Sequence, residues 1–202
     1  MGDNHHRRSI RLKGFNYAQP GGYFITICTV NREYLFGNIV DGKMRLNALG
    51  KIVAEEWNKT SSIRANVELD AFVVMPNHIH GIIILNDDGG ITSARYRRGE
   101  LQFAPTYTNP KFKSPSQTIG AIVRGFKSAT TKRINALRNT YGVPLWQRNY
   151  YEHIMRGEKD YNAICEYILN NPLQWQYDSE NNEKIIIGVR DADSFCKIRG
   201  NP

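Results

Sequence analysis

The chain is short of cysteine, of long apolar runs and, over one stretch, of acidic residues. Each shortage narrows what it can be. Cys28, Cys165 and Cys196 are the three cysteines in 202 residues, scattered and odd in number. They exclude a disulfide framework and lack metal-ligand spacing, which points to a reducing compartment. No apolar run approaches the roughly 20 residues that a membrane-spanning helix needs. The first fourteen residues are polar and basic, without the apolar centre of a secretory leader. The expectation is a cytoplasmic protein with no membrane partner. No internal repeat is visible, and the length suits one well-buried domain.

The acidic shortage is local. Residues 91–133 hold nine Lys/Arg (95, 97, 98, 111, 113, 124, 127, 132, 133) against Glu100 alone. That segment carries +8, which equals the net charge of the whole chain, so the remainder is near neutral. Tyr96, Phe103, Tyr107 and Phe112 lie among the cations. A charge run is ordinarily just a solvated face. One this concentrated and interleaved with rings suits a polyanion, with cations on phosphates and rings on bases. Arg95, Arg97, Arg98, Arg124, Lys127 and Lys132 are the expected contacts.

What is present is an alternation of strand and helix signals. Residues 1–20 form a basic lead-in that ends in a Pro20-Gly21-Gly22 turn. Tyr23–Val30 is rich in β-branched and aromatic residues and reads as a strand. A hairpin-like segment around 36–44 turns at Asp41-Gly42. Over Leu46–Lys59, Leu46, Leu49, Ile52/Val53 and Trp57 recur at helical spacing. Val67–Met75 and Ile79–Leu85 are apolar runs joined at Pro76-Asn77 and expected to pair antiparallel. Residues 86–115 form a polar excursion punctuated by Gly and Pro. Ser116 is the expected N-cap of a helix reaching Arg138. Leu145–Met155 reads as an aromatic strand and Glu158–Asn170 as the last clear helix. Beyond Trp175 the chain turns polar, with Ile185–Ile187 as a candidate short strand.

The order β-α-β-β-α-β plus a final helix predicts an α+β fold, a ferredoxin-like antiparallel sheet with its first and third strands central. The domain should span 21–175, with 176–202 as a tail. His78 and His80 then project side by side from a central strand, because residues two apart share a face. Two such imidazoles can hold one divalent cation, although two hydrogen-bonded core histidines would leave the same pattern. In the last helix the apolar stripe is Tyr161, Ile164/Cys165, Ile168 and Pro172. Tyr167 and Asn171 lie about 100° from its centre, one turn apart and facing one spot. An Asn at a helix C-terminus is also a common cap. Two imidazoles, an amide oxygen and a phenol together match the needs of phosphodiester transesterification. His78, His80 and Asn171 would hold Mg²⁺ or Mn²⁺, and Tyr167 would be the nucleophile.

Met75-Pro76-Asn77-His78-Ile79-His80-Gly81 resembles the His-hydrophobic-His motif of the single-tyrosine HUH transposases. Arg8-Ser9-Ile10-Arg11-Leu12 through Gly22-Tyr23-Phe24-Ile25-Thr26-Ile27-Cys28-Thr29 resembles the opening of their REP-associated branch. So do Leu145-Trp146-Gln147-Arg148 with Tyr151-Glu152-His153, and Tyr167-Ile168-Leu169-Asn170-Asn171-Pro172. The resemblance covers roughly residues 7–175. It implies a metal-dependent endonuclease that binds single-stranded hairpin DNA, then cleaves and rejoins it through a 5′-phosphotyrosine. Tyr167 matches the nucleophile, and His78, His80 and Asn171 match the metal site. Arg148 and His153 fall in the aromatic motif; Arg148 takes a DNA-contact role, and His153 either contacts DNA or supports the metal site from behind its ligands. A homodimer is compatible with the resemblance, with Tyr167 serving either its own histidines or a partner subunit's.

Two other classes fit part of the pattern. A non-catalytic ferredoxin-like nucleic-acid module accounts for the charge but not for the co-facing tyrosine. A zinc hydrolase would take His153 as its third ligand, yet no carboxylate stands at obvious ligand spacing.

Overall fold

A computed structural model describes residues 18–86 and 117–183. Strand β1 runs Gly21–Cys28, and a small hairpin follows, β2 Gly37–Val40 and β3 Lys43–Leu46. Helix α1 is Ala48–Ile63, then come β4 Val67–Val74, β5 His78–Leu85, α2 Ile119–Arg138, β6 Tyr151–Ile154 and α3 Glu158–Asn170. The main sheet has the order β4-β5-β1-β6, with every neighbouring pair antiparallel. The two longest central strands are therefore the first and third of the main set, as the element order predicts. The fold is the expected mixed α/β arrangement around a four-stranded antiparallel sheet.

Local chemistry accounts for the boundaries. The hairpin turns through Asp41 (φ 51°) and Gly42 (φ 68°), the left-handed pair that matches strand twist. Asn47 caps α1 by accepting from the backbone N–H groups of Leu49 and Gly50. Thr118 caps α2 through the Ala121 N–H, whereas Ser116, the expected cap, lies outside the described residues. So do Arg95, Arg97, Arg98, most of the 86–115 excursion and the Ile185–Ile187 segment.

The aromatic strand is shorter than its composition suggests. Its start breaks away as a single bridge between Trp146 and Thr29, and regular pairing resumes only at Tyr151. Two contacts divide it. The buried Trp146 indole donates to Thr130 Oγ1 at 2.8 Å, and the carbonyls of Gln147 and Asn149 turn to the Lys127 ammonium, each at 2.9 Å.

Sheet pleating sorts the side chains. On one face Ile25, Ile27, Ile79, Ile83 and Leu85 pack with Trp57, Ile122, Phe126 and Trp146 beneath α1 and α2. Trp57 stacks on Phe72 at 4.7 Å, and its ring fills the space above Gly81. A Cβ on Gly81 would come within 2.4 Å of that indole, so the glycine after His80 is required by packing. On the opposite face Phe24, Ile82 and Ile84 meet Tyr161, Ile164 and Ile168 of α3. That second face carries the histidines.

Candidate metal and tyrosine site

His78 and His80 are fully buried on β5, opposite Cys28 and Thr26 of β1 in the cross-strand register. Each ring is held at Nδ1. His78 Nδ1 lies 2.8 Å from Asn77 Oδ1. The Asn77 amide nitrogen donates to the backbone carbonyls of Glu180 at 2.7 Å and Arg32 at 3.2 Å. Its oxygen is therefore the acceptor, His78 donates from Nδ1, and His78 Nε2 presents a lone pair. His80 Nδ1 is 2.8 Å from Thr26 Oγ1. The two Nε2 atoms stand 3.0 Å apart. Two nitrogens that close share either one hydrogen or one cation, and donors about 2.1 Å from an octahedral cation stand about 3.0 Å from each other.

Helix α3 brings the remaining groups. The half-buried Tyr167 places its hydroxyl 3.2 Å from His80 Nε2. Phe24 sets both rings, stacking on His80 at 5.4 Å and meeting Tyr167 edge-on at 6.0 Å. The tyrosine and both histidines thus converge within one chain. Asn171, at the α3 C-terminus, is 2 % exposed and donates from Nδ2 to Asp178 Oδ2 at 3.0 Å. Among the described residues its Oδ1 is buried with no hydrogen-bond partner.

Asp178 was not foreseen. His78, His80 and Asp178 each direct one donor atom into a space where all lie within 4.8 Å of one another. The Asp178 oxygen is 3.9 Å from His78 Nε2. Asp178 sits seven residues beyond Asn171 in a polar stretch, where no spacing rule points to a ligand. The stretch folds back through a helical turn at Trp175–Tyr177, and the Trp175 ring lies 6.0 Å from that of His78. Thr26 and Asn77 belong to the strand motifs, and the structure shows them holding the two imidazoles, a role their spacing alone does not signal. The His78–His80–Asp178 set fits a divalent cation: two imidazole nitrogens and a carboxylate, all buried.

The expected DNA contacts divide. Arg124, Lys132 and Arg148 are exposed. Lys127 instead braces the Gln147 and Asn149 carbonyls, with its ammonium 5.6 Å from the centre of the Tyr150 ring. Burial pushes its pKa down to about 8. His153, opposite Phe24 in the sheet, pairs with Asp160 at 2.9 Å and stands outside the His78–His80–Asp178 group. Among the described residues no helix is long and apolar enough to cross a membrane.

No family model matches the chain. A Haemophilus influenzae protein described as uncharacterized is 47% identical over 175 residues, covering 86% of this chain and 92% of that protein. The chain belongs to that protein's family. The solved structure of a REP-associated tyrosine transposase bound to a REP hairpin matches with a TM-score of 0.52 at 19% identity, covering 84% of this chain and 76% of that one. That is a likeness of fold, covering the sheet and its helices.

Proposed function

We propose that the chain is a metal-dependent DNA-strand transferase of the single-tyrosine type. The observation that carries this reading is the Tyr167 hydroxyl 3.2 Å from a buried, paired imidazole whose own partner nitrogen is 3.0 Å away. The phenol oxygen stands within hydrogen-bond distance of a metal-competent imidazole nitrogen. Tyr167 oxygen attacks a backbone phosphorus, a P–O bond to tyrosine forms, and the bond to the 3′ oxygen breaks. The phenol gives up a proton and the departing 3′ oxygen takes one, leaving a 5′-phosphotyrosine and a free 3′-OH. The diester energy is retained, so another 3′-OH can reverse the step and join a new strand. Mg²⁺ or Mn²⁺, when bound, supplies charge neutralisation at the phosphate.

The chain's own residues do the rest. His78, His80 and Asn171 hold the cation, Asn77 and Thr26 fix the imidazoles, and Phe24 holds the phenol over them. The hairpin-bound state of the fold neighbour supports single-stranded hairpin DNA as the substrate. Exposed Arg124, Lys132 and Arg148 fit a role in phosphate contact, and Arg95, Arg97 and Arg98 are proposed to join them. Incubation with single-stranded hairpin oligonucleotides and Mn²⁺ tests the reading. A covalent protein–DNA band that disappears in Tyr167→Phe is expected. Metal-dependent products with free 5′-phosphates and no covalent species would instead indicate hydrolysis by metal-bound water.

A further inference from the structure

We propose that Asp178 is the anionic ligand of this metal site, so that the stretch after α3 is part of the machinery rather than a tail. The inference rests on the functional reading above. Its first support is an imbalance of charge. The Asp178 side chain is 3% exposed, and among the described residues the one ion-pair partner in reach is the His78 imidazole at 3.9 Å. A carboxylate taken out of water without a cation is strongly disfavoured, and a divalent ion between these donors removes the imbalance.

The second support is the state of Asn171. Asp178 Oδ2 accepts from the Asn171 amide nitrogen at 3.0 Å, and Asp178 Oδ1 accepts from the Glu180 backbone N–H at 2.6 Å. Asp178 therefore decides which way the amide points. It takes the nitrogen and leaves the oxygen as a buried, unpartnered donor atom. Without Asp178 the amide could reverse and offer hydrogens where a lone pair is needed.

The third support lies two residues on. The Glu180 carboxylate pairs with Arg32 at 2.9 Å and accepts from the Cys28 thiol at 3.3 Å. Its backbone carbonyl is what holds the Asn77 amide at 2.7 Å, and that amide sets the His78 tautomer. Tyr34 donates to Asn181 Oδ1 at 2.6 Å and secures the same segment. One short stretch thus supplies a ligand, orients a second and fixes the tautomer of a third. Seating of 175–183 and metal binding then form one equilibrium, because an ion that uses Asp178 favours the seated form.

Calorimetric titration of the full chain with Mn²⁺ alone, without DNA, tests this. Asp178→Asn keeps the shape and an acceptor for Asn171 while removing the charge. Mn²⁺ affinity should fall by about 10–100-fold or more, the range for losing a supporting group or a ligand. Asp178→Glu should recover part of the loss, and it replaces the Asn variant if that one fails to fold. Unchanged Mn²⁺ affinity in Asp178→Asn, alongside lost binding in His78→Ala, overturns the Asp178 assignment and leaves the tyrosine chemistry standing. If only Asp178→Glu folds and binds no better than His78→Ala, the assignment is overturned as well. No Mn²⁺ binding by the wild type would overturn both readings. A covalent Tyr167 adduct is scored separately, so the two failures are distinguishable.

Discussion

The two faces of this sheet share the same strands and have opposite characters. Beneath α1 and α2, Ile25, Ile27, Ile79 and Ile83 meet Trp57, Phe126 and Trp146, and the contact is mainly apolar, with the Trp146–Thr130 hydrogen bond buried within it. Beneath α3 the middle of the sheet is also apolar, but toward one end Thr26, Cys28, His78 and His80 replace the aliphatic residues. His80 and Ile79 differ by one position along β5, so strict alternation alone separates chemistry from core. A one-residue slip would exchange the faces. The difference teaches that the apolar core and the buried histidine site lie on separate sides of one strand. The apolar side fixes β5 so firmly that two imidazoles can be buried opposite with each Nδ1 held.

The sharpest way to break that division is to empty the polar side. His78→Ala with His80→Ala should reduce metal-dependent DNA cleavage by about 10³-fold or more, the rate equivalent of several kcal/mol of lost stabilisation. DNA binding, measured by fluorescence anisotropy, should be largely kept. Full activity with metal in that variant would mean the cation sits elsewhere. Trp57→Ala probes the other side and should destabilise by about 3–5 kcal/mol in denaturant unfolding. Cleavage per folded molecule should stay near wild type, and a selective loss of activity would show that the two faces are coupled.

Lys127 gives a smaller, pH-dependent contrast. Burial lowers its folded pKa to about 8 from the ordinary 10.5, with a smaller electrostatic contribution from Cys28 acting the other way. Between those values the unfolded chain binds more protons than the folded one, so this group's contribution to stability rises with pH across that window. The cost of the buried charge is fully present below pH 8 and fades toward 10.5. Wild type measured against Lys127→Met at pH 7.5 and 10 should therefore gain relative stability at the higher pH. Parallel curves would mean the ammonium is not buried in solution. The smallest effect concerns DNA. Arg124→Gln should flatten the salt dependence of single-strand binding by about 0.7, the slope for one phosphate. Lys127→Gln should leave the slope unchanged, because its ammonium is engaged by carbonyls. Equal flattening by both would restore Lys127 as a phosphate contact.

The parts of this architecture that were legible in the sequence are those that follow from periodicity. Alternation through Ile79–Leu85 and the 3.6-residue stripe of Tyr161, Ile164 and Ile168 were enough to place two histidines and one tyrosine on facing surfaces. The aromatic stretch pairs regularly only from Tyr151, because composition cannot reveal that Trp146 turns into the core while Lys127 captures the next carbonyls. Asp178 was invisible for a different reason. Its meaning depends on the chain turning back at Trp175 and being fastened by the Arg32–Glu180 pair, a tertiary event that local pattern does not encode. Lys127 shows the converse case. It stood in a basic run that suited phosphate, yet its position on α2 directs it to the protein's own backbone.

The most direct test of the account is to trap the reaction and map the bond. Wild-type protein should be incubated with Mn²⁺ and a single-stranded hairpin oligonucleotide, then digested and sequenced by mass spectrometry. The account predicts a nucleotide 5′-phosphate on Tyr167 and on no other residue, absent from Tyr167→Phe and from the His78/His80 double variant. An adduct on a different tyrosine, or one that survives in Tyr167→Phe, would contradict it.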